Sequence, residues 1–377
     1  MAYKRSDFVP FSPDSGRVTA NLEAAYVQWL DARQQLLKMP VSMYWQTKTN
    51  GDYLALKLSS SDSGTTIGPR SDMTEAKLAE FTQHKVELKK RVSDADKTIG
   101  DRAAQYRALR LPPIPDRQAE ILRALDVAEL LGNDLIVVGT NAFIAYSLLC
   151  SARFPTGVEE TEDFDLAWCR DSGVSLTRKA VAPLQRSSLM AVLQGVDSTF
   201  RLNQKKPYQA VNSNNYEVEL LLAPSLAPLP KTEVFEPMVS LTEQEWLLKG
   251  RPVSVVVATL RQRACPLYVP DPRWMALHKL WLSAKPERNA LKKPKDLRQG
   301  KVLLSACRYF LADTYPLDID FVLELPAELR DLFHDWAKEN GFDPLNPTGP
   351  SSLSDPAGPG NAGGEVLATQ EFNFKLE

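Results

Sequence analysis

The residues best suited to chemistry are two aspartates in the segment Thr161-Glu-Asp-Phe-Asp-Leu-Ala-Trp168. Asp163 and Asp165 are two positions apart, so on a strand both carboxylates would point to one face while Phe164 and Leu166 point to the other. Two neighbouring carboxylates repel each other unless a cation lies between them. A hard cation such as Mg²⁺, or Mn²⁺ in its place, takes carboxylate oxygens and brings phosphate oxygens with it. The spacing therefore predicts a metal site for phosphate chemistry.

A later acidic stretch offers a third carboxylate. The segment Tyr216-Glu-Val-Glu-Leu-Leu-Leu-Ala-Pro224 predicts a strand whose acids are flanked by apolar residues. We expect Glu219 beside the aspartates, with Glu217, one pleat away, as the alternative. Since chance alone gives about six acid-x-acid pairs in a chain of this composition, the surrounding pattern has to carry the interpretation.

The pattern upstream of the aspartates favours an anion. Leu135-Ile-Val-Val138 predicts a buried strand that runs directly into Gly139-Thr140 and a helical segment starting at Asn141. The backbone N–H groups at such a helix start, together with the helix dipole, attract negatively charged groups.

The elements before this core predict a helix–hairpin–helix unit. Apolar residues from Val18 to Leu37 keep helical spacing, and Pro40 ends that helix. Asn50-Gly51 separates two strand-like runs, a strong hairpin signal. A second long helix carries apolar residues from Leu78 to Ile99 on one face. The hairpin carries the aromatic residues Tyr44, Trp45 and Tyr53. In one interpretation the lysines of the second helix form a solvated surface and these aromatics belong to the core. In the other, the lysines and aromatics together form an arm that docks nucleic acid or a partner.

Proline-rich segments divide the chain. Leu111-Pro-Pro-Ile-Pro115 is a stiff linker, and residues 344–364 contain five Pro, five Gly and three Ser, a composition that cannot bury a core. We predict four regions: the N-terminal unit 1–110, a catalytic core 116–260, a mostly helical C-terminal module 261–343, and a flexible Pro/Gly-rich tail 344–377.

These motifs resemble the DNA polymerase β-type nucleotidyltransferase superfamily, whose pattern is a strand with Gly-Gly or Gly-Ser, an Asp-x-Asp strand and a later acidic strand. The chain is more closely similar to a bacterial nucleotidyltransferase-like family with Gly-Thr-Asn-Ala-x-x-Ala-Tyr and Thr-Glu-Asp-x-Asp-Leu. Here those motifs are Gly139 to Tyr146 and Thr161 to Leu166. The similarity continues at Val269 to Leu280 and at Lys295-Asp296, and it covers about 116–311.

The resemblance implies an α/β (α+β) fold: a polymerase β-type core of mixed sheet and helices, an N-terminal helix–hairpin–helix unit and a C-terminal helical module. It implies an enzyme that transfers NMP from an NTP, ATP included, to a hydroxyl of RNA or protein, with Mg²⁺ or Mn²⁺ as cofactor. Asp163, Asp165 and Glu219 would be the catalytic, metal-binding residues. The nucleotide would contact the following residues: Gly139, Thr140, Asn141, Lys279 and Lys295.

Two segments of the C-terminal module could bind the nucleotide or could be purely structural. His278 and Lys279 lie in an apolar helical pattern, where a lone histidine is typical of a core or capping residue. The basic stretch from Lys285 to Lys301 is either a solvated loop and helix start or an edge that binds triphosphate or RNA, with Lys295 and Arg298 directed at the cleft.

Composition excludes several other classes of protein. The chain has 45 Lys and Arg against 47 Asp and Glu in 377 residues, which excludes a wholesale polycation but not a local basic surface. Four scattered cysteines and only three histidines argue against a zinc cage, a disulfide framework and a His-dependent hydrolase. The most apolar stretch, 135–150, is interrupted by polar residues and is shorter than the roughly 20 residues of a membrane span.

We therefore expect a cytoplasmic protein with no membrane partner, since the N-terminus also has no apolar signal region. Related families include toxins that modify RNA ends or proteins, so a toxin- or defence-like role with an antitoxin or partner protein is one expectation. The alternatives are a catalytically inactive scaffold that keeps the fold, or a nucleic-acid-binding protein whose N-terminal unit makes the main contacts.

Overall fold

The computed structural model describes residues 2–347, with gaps at positions 60, 157–163, 170–171, 173–187, 228, 230, 232 and 235–241. Helices and sheets are both abundant, which confirms the prediction of an α+β protein. The predicted tail 344–377 lies outside the described residues apart from its first four positions. Among the helices described, none has both the length and the apolar character that crossing a membrane requires.

The N-terminal part consists of two long helices with a small sheet between them. Its elements are β1 (Val9–Pro10), α1 (Ser15–Lys38), β2 (Ser42–Lys48), β3 (Gly51–Lys57), β4 (Thr65–Pro69) and α2 (Asp72–Ala108). β2 and β3 pair as an antiparallel hairpin, and Gly51 takes the positive φ of +118° at its turn. A third strand, β4, pairs with β3 and was not predicted. The helix α2 begins after Ser71, whose hydroxyl accepts from the Thr74 N–H.

The helices α1 and α2 pack on the central region through their own apolar core. Apolar residues of both helices surround Val256 and Ala258 of the following region. At the edge of this core the Tyr26 hydroxyl donates to Asp126 Oδ2 at 2.9 Å, and the Arg123 guanidinium lies 3.8 Å from the centre of the Trp29 ring. This contact anchors the N-terminal helices to the central region.

The central region is a five-stranded mixed sheet with helices. Its elements are α3 (Asp116–Val127), β5 (Leu135–Val137), α4 (Ala142–Leu149), β6 (Ala152–Arg153), β7 (Phe164–Trp168), α5 (Leu189–Val196), β8 (Arg201–Asn203), β9 (Lys206–Val211) and β10 (Glu217–Leu221). The strand order is β5-β7-β10-β9-β8. β7 and β10 run parallel, whereas the other neighbours are antiparallel. This order brings the strand of Asp165 next to the strand of Glu219.

The last region is a hairpin followed by four helices. Its elements are β11 (Val253–Ala258), β12 (Ala264–Val269), α6 (Pro272–Ala284), α7 (Lys293–Phe310), α8 (Ile319–Glu324) and α9 (Ala327–Asn340). α6 and α7 approach closely because Gly300 has no side chain: a Cβ there would lie 2.6 Å from Leu280. Apolar residues of these helices share one continuous core with the central sheet.

The segment before α1 also packs in this larger core. Phe8 is buried, and its ring lies 5.6 Å from that of Phe154 and 5.3 Å from that of Phe310. β1 pairs with β6 of the central region. The start of the chain therefore spans two regions, and the division at residues 110, 260 and 343 stays a prediction.

Candidate functional site

The centre of the candidate site is a row of polar side chains across neighbouring strands. Asp165 on β7 pairs in register with Glu219 on β10, and Glu219 pairs with Gln209 on β9. Residues paired in register point to the same face of a sheet. The alternate residues Phe164 and Val218 are fully buried on the opposite face, so burial of the apolar face directs the acids to the other one. Asp165 and Glu219 are themselves partly exposed.

The register places Glu219, rather than Glu217, opposite Asp165. Glu217 pairs instead with Val211 of β9. Because it is two residues from Glu219, its side chain lies on the same face of the sheet one pleat further along. Asp163, the first aspartate of the predicted pair, lies outside the described residues.

Gly139 lies directly against the Asp165 carboxylate. The Val138 N–H donates to the Asp165 carbonyl at 3.1 Å, which holds the end of β5 beside β7. Gly139 then turns with φ +70°, and a Cβ at this position would overlap Asp165 Oδ2. Any other residue would both strain the backbone and displace the carboxylate. The glycine of the predicted phosphate turn is thus also required for the placement of Asp165.

The rest of this turn is tied to the C-terminal helices. Thr140 and Asn141 are buried in a short 3₁₀ turn, Gly139–Asn141, that leads into α4. The Gln299 Nε2 donates to Thr140 Oγ1 at 3.1 Å. Gln299 is on α7, four residues after Lys295, and residues at this spacing lie on one side of a helix. The predicted nucleotide contact Lys295 is therefore on the side of α7 that faces the glycine turn.

Lys279, another predicted nucleotide contact, lies in a buried ion-pair cluster. Its ammonium donates to Asp296 Oδ1 at 2.9 Å. The other oxygen of Asp296 accepts from the Arg288 guanidinium at 2.8 Å. Since Lys279 and Asp296 are 8% and 3% exposed at their side chains, the two cations compensate a carboxylate that water hardly reaches.

His278, next to Lys279, is a neutral core residue. Its ring stacks on Trp281 and meets Trp246 edge to face. Neither ring nitrogen has a hydrogen-bond partner among the residues described. Burial, assisted by the charge of Lys279, lowers the pKa of His278 to about 3. The interpretation of this histidine as a core residue agrees with its position.

Gln209 is a member of the site that sequence analysis missed. It is fully buried, and its Nε2 donates to Glu217 Oε2 at 2.6 Å and to Glu219 Oε1 at 3.0 Å. The only signal in the sequence is a polar residue within the run Lys206-Pro-Tyr-Gln-Ala-Val211. Its partners lie on another strand and cannot be read from that run.

The donor set of the site is suited to a hard cation. Asp165 and Glu219 supply carboxylate oxygens from adjacent strands, without a thiolate or imidazole from the residues placed beside them, and this is the ligand chemistry of Mg²⁺ and Mn²⁺. In the part of the chain that the structure describes, no group of three or more His, Cys, Asp or Glu side chains is arranged to hold a metal. Asp163, the predicted third ligand, lies outside those residues.

Comparison with known proteins identifies the family. A family described as nucleotidyltransferase matches residues 116–319, which is more than half of the chain. The protein belongs to this nucleotidyltransferase family. The matched range contains the glycine turn, Asp165, Glu219 and Lys279, and membership confirms the prediction of a nucleotidyltransferase, and hence of a transferase. The bacterial origin and the polymerase β-type superfamily stay predictions.

Two further comparisons add little. The chain is similar to a crystal structure of an antigenic nucleotidyltransferase-like protein from Paracoccidioides brasiliensis, with 14% identity and a TM-score of 0.33 over 60% of this chain and 90% of that chain. No curated protein matches the chain.

Proposed function

We propose that this nucleotidyltransferase moves NMP from an NTP to a hydroxyl of RNA or protein, with Mg²⁺ or Mn²⁺ held by Asp163, Asp165 and Glu219. The observation that supports this most directly is the register pairing of Asp165 with Glu219 beside the Gly139 turn. It combines two hard oxygen donors with a glycine turn at the start of a helix, where backbone N–H groups favour an anion.

The residues of the chain have distinct tasks in this reaction. Glu219 accepts the proton of the acceptor hydroxyl while the oxygen of that hydroxyl bonds to the α-phosphorus of the NTP. The bond between the α-phosphorus and the oxygen that bridges it to the β-phosphorus breaks, and pyrophosphate leaves. Gly139, Thr140 and Asn141 contact the triphosphate through the start of α4. A bound divalent cation supplies the positive charge that offsets the phosphate oxygens.

The two lysines complete the proposed nucleotide contacts. Lys295 is on the face of α7 that also carries Gln299, the partner of Thr140. Lys279 already donates one hydrogen bond to Asp296, but an ammonium group has three donors. A phosphate oxygen can therefore share Lys279 with Asp296 without breaking the ion pair.

The acceptor, partner and compartment belong to the same proposal. The acceptor is an RNA end or a protein hydroxyl, and the activity is toxin- or defence-like, restrained by an antitoxin or partner protein. We place the protein in the cytoplasm, where its four free and buried cysteines would stay reduced.

Label transfer from α-³²P-NTP tests the proposal. The intact protein is incubated with each NTP, Mg²⁺ or Mn²⁺, and bulk RNA or cell lysate, next to Asp165→Asn, Glu219→Gln and Glu217→Gln. We expect label on RNA or protein with the wild type and at least about 100-fold less with the first two variants. Asp335→Asn, an exposed acid on α9, is the matched control and should keep full activity. Absence of transfer with every NTP and acceptor, together with absence of NTP binding, would leave an inactive scaffold.

The same assay distinguishes the two glutamates. If Glu219 is the third carboxylate, Glu217→Gln should retain much more activity than Glu219→Gln. Equal loss in both variants would contradict the assignment that the register suggests.

A further inference from the structure

Gln209 connects the two glutamates of β10 through a single amide group. Both of its N–H bonds are used, one toward Glu217 Oε2 at 2.6 Å and one toward Glu219 Oε1 at 3.0 Å. Hydrogen bonds to ionised acceptors are stronger than neutral ones. The amide therefore holds two like-charged side chains in one fixed arrangement.

The orientation of this amide is itself fixed by a neighbour. The Asn203 Nδ2 donates to Gln209 Oε1 at 2.6 Å, and Asn203 Oδ1 accepts from the Lys205 N–H at 3.1 Å. A reversed Gln209 amide would place its oxygen against two carboxylates and its N–H groups against the Asn203 donor. The network allows one orientation only, and in that orientation all the donors of Gln209 point at the glutamates.

Packing alone does not require this network. Glu217 and Glu219 are partly exposed, so water can solvate both carboxylates if the amide is absent. Gln209, in contrast, is completely buried, and an apolar side chain of similar size would fill its place in β9. The stability of the sheet therefore does not explain why this buried position holds a glutamine with three hydrogen bonds.

We propose that Gln209 is a positioning residue, which holds Glu219 beside Asp165 in the arrangement that binds the divalent cation. This inference rests on the proposed function. Asn203 acts one step further away, because it orients the amide of Gln209. Loss of partners that orient metal ligands in this way typically lowers metal affinity or activity, and because Gln209 contacts the ligand Glu219 we expect its loss to act on metal affinity.

Mn²⁺ binding to the intact protein, followed by electron paramagnetic resonance without NTP or acceptor, tests this role. We expect Gln209→Leu to weaken Mn²⁺ binding by about 10- to 100-fold, with unchanged circular dichroism. Gln244→Leu is the matched control, because Gln244 is also a buried glutamine and lies in the segment Thr242–Leu248, which is not a strand of the five-stranded sheet. It should bind Mn²⁺ as the wild type does.

A second variant keeps the test decisive if Gln209→Leu fails to fold. Asn203→Ala removes only the bond that orients the amide, so Mn²⁺ affinity should fall by a smaller factor in the same direction. The proposal is overturned if a folded Gln209→Leu binds Mn²⁺ with wild-type affinity. If Gln209→Leu does not fold, wild-type Mn²⁺ affinity in Asn203→Ala overturns it. Absence of Mn²⁺ binding by the wild-type protein also overturns it.

The transfer assay then distinguishes failure of this positioning role from failure of the proposed reaction. In the transfer assay Gln209→Leu should need more metal for half-maximal rate but reach a similar rate at saturating metal. If the wild type binds Mn²⁺, Gln209→Leu binds it weakly, and no label is transferred, then the positioning role stands and the proposed reaction fails. A lower saturating rate with unchanged metal demand would contradict the positioning role.

Discussion

Two acid-centred clusters of this protein differ in how their charge is compensated. In the sheet cluster, formed by Asp165, Glu219 and Gln209, a neutral amide orients a carboxylate that stays partly exposed. In the helix cluster, formed by Asp296, Lys279 and Arg288, two cations surround one buried carboxylate. A neutral donor fixes the direction of a charge, whereas a cation cancels the charge.

The difference indicates separate tasks for the two clusters. The sheet cluster keeps its carboxylates at a surface that a cation can reach. Their like charges repel each other, so they favour cation binding and do not stabilise the fold. In the helix cluster the buried carboxylate is compensated by its two cations, and the Lys279–Asp296 pair joins α6 to α7. Removing the acid should therefore lower stability at the helix cluster and weaken cation binding at the sheet cluster.

The largest effect is expected from Asp296→Asn. This change leaves the buried ammonium of Lys279 without its carboxylate partner and removes the same partner from the partly exposed guanidinium of Arg288. Breaking a buried pair on one side typically costs about 3–5 kcal/mol of unfolding free energy. Urea unfolding followed by circular dichroism measures this loss. A change below about 1 kcal/mol, the usual value of an exposed pair, would contradict the structural role of the helix cluster.

Gly139→Ala should lower stability by an intermediate amount, and its effect should extend to Mn²⁺ binding at the sheet cluster. A non-glycine residue in a strained backbone conformation costs on the order of 1–3 kcal/mol, and here the added Cβ also meets the Asp165 carboxylate. We expect a loss of thermal stability together with weaker Mn²⁺ binding.

Gly341→Ala is the matched control for this change. Gly341 ends α9 with φ +60°, and a Cβ there would have nothing within 4 Å. It should show the backbone cost but keep Mn²⁺ binding. Equal Mn²⁺ affinity in both variants would mean that Gly139 does not position Asp165.

The sequence predicts the two clusters unequally, for physical reasons. The strand, glycine turn and helix from Leu135 to Leu149 follow from local pattern, since apolar runs and glycine act on their immediate neighbours. The acids of β10 also follow from such a run. Gln209, however, belongs to the site because β9 pairs with β10, and strand pairing is a non-local property. The Lys279–Asp296 pair likewise depends on how α6 packs on α7, so the sequence predicts Lys279 as a nucleotide contact but does not predict its ion pair with Asp296.

His278 provides a test of the helix cluster through pH. Its folded pKa of about 3 lies below the unfolded value near 6.5. The unfolded chain therefore binds more protons between these values, and the contribution of His278 to stability is complete above about pH 6.5 and is lost as the pH falls toward 3. Lys279, Lys285 and Arg288 act in the same direction as burial, and Asp296 opposes them.

The variant His278→Leu should flatten this dependence. Between pH 6 and pH 4 the wild type should lose up to about 1.4 kcal/mol per pH unit more than the variant, as measured by urea unfolding at each pH. His334→Gln, at an exposed position of α9, is the control. Parallel curves for wild type and His278→Leu would show that this histidine is charged or solvated in the folded protein.

The smallest change in stability is expected from Asp165→Asn, in contrast to Asp296→Asn. Asp165 is partly exposed and lies beside the like charge of Glu219, so its neutralisation relieves repulsion while water replaces the lost interactions. We expect the unfolding free energy without metal to change by no more than about 0.5 kcal/mol. The wild type should melt at a higher temperature when Mn²⁺ is added, because a ligand that binds only the folded state stabilises it, and Asp165→Asn should lose this response. A loss of several kcal/mol without metal would instead show that the acid of the sheet cluster, like that of the helix cluster, is held for stability.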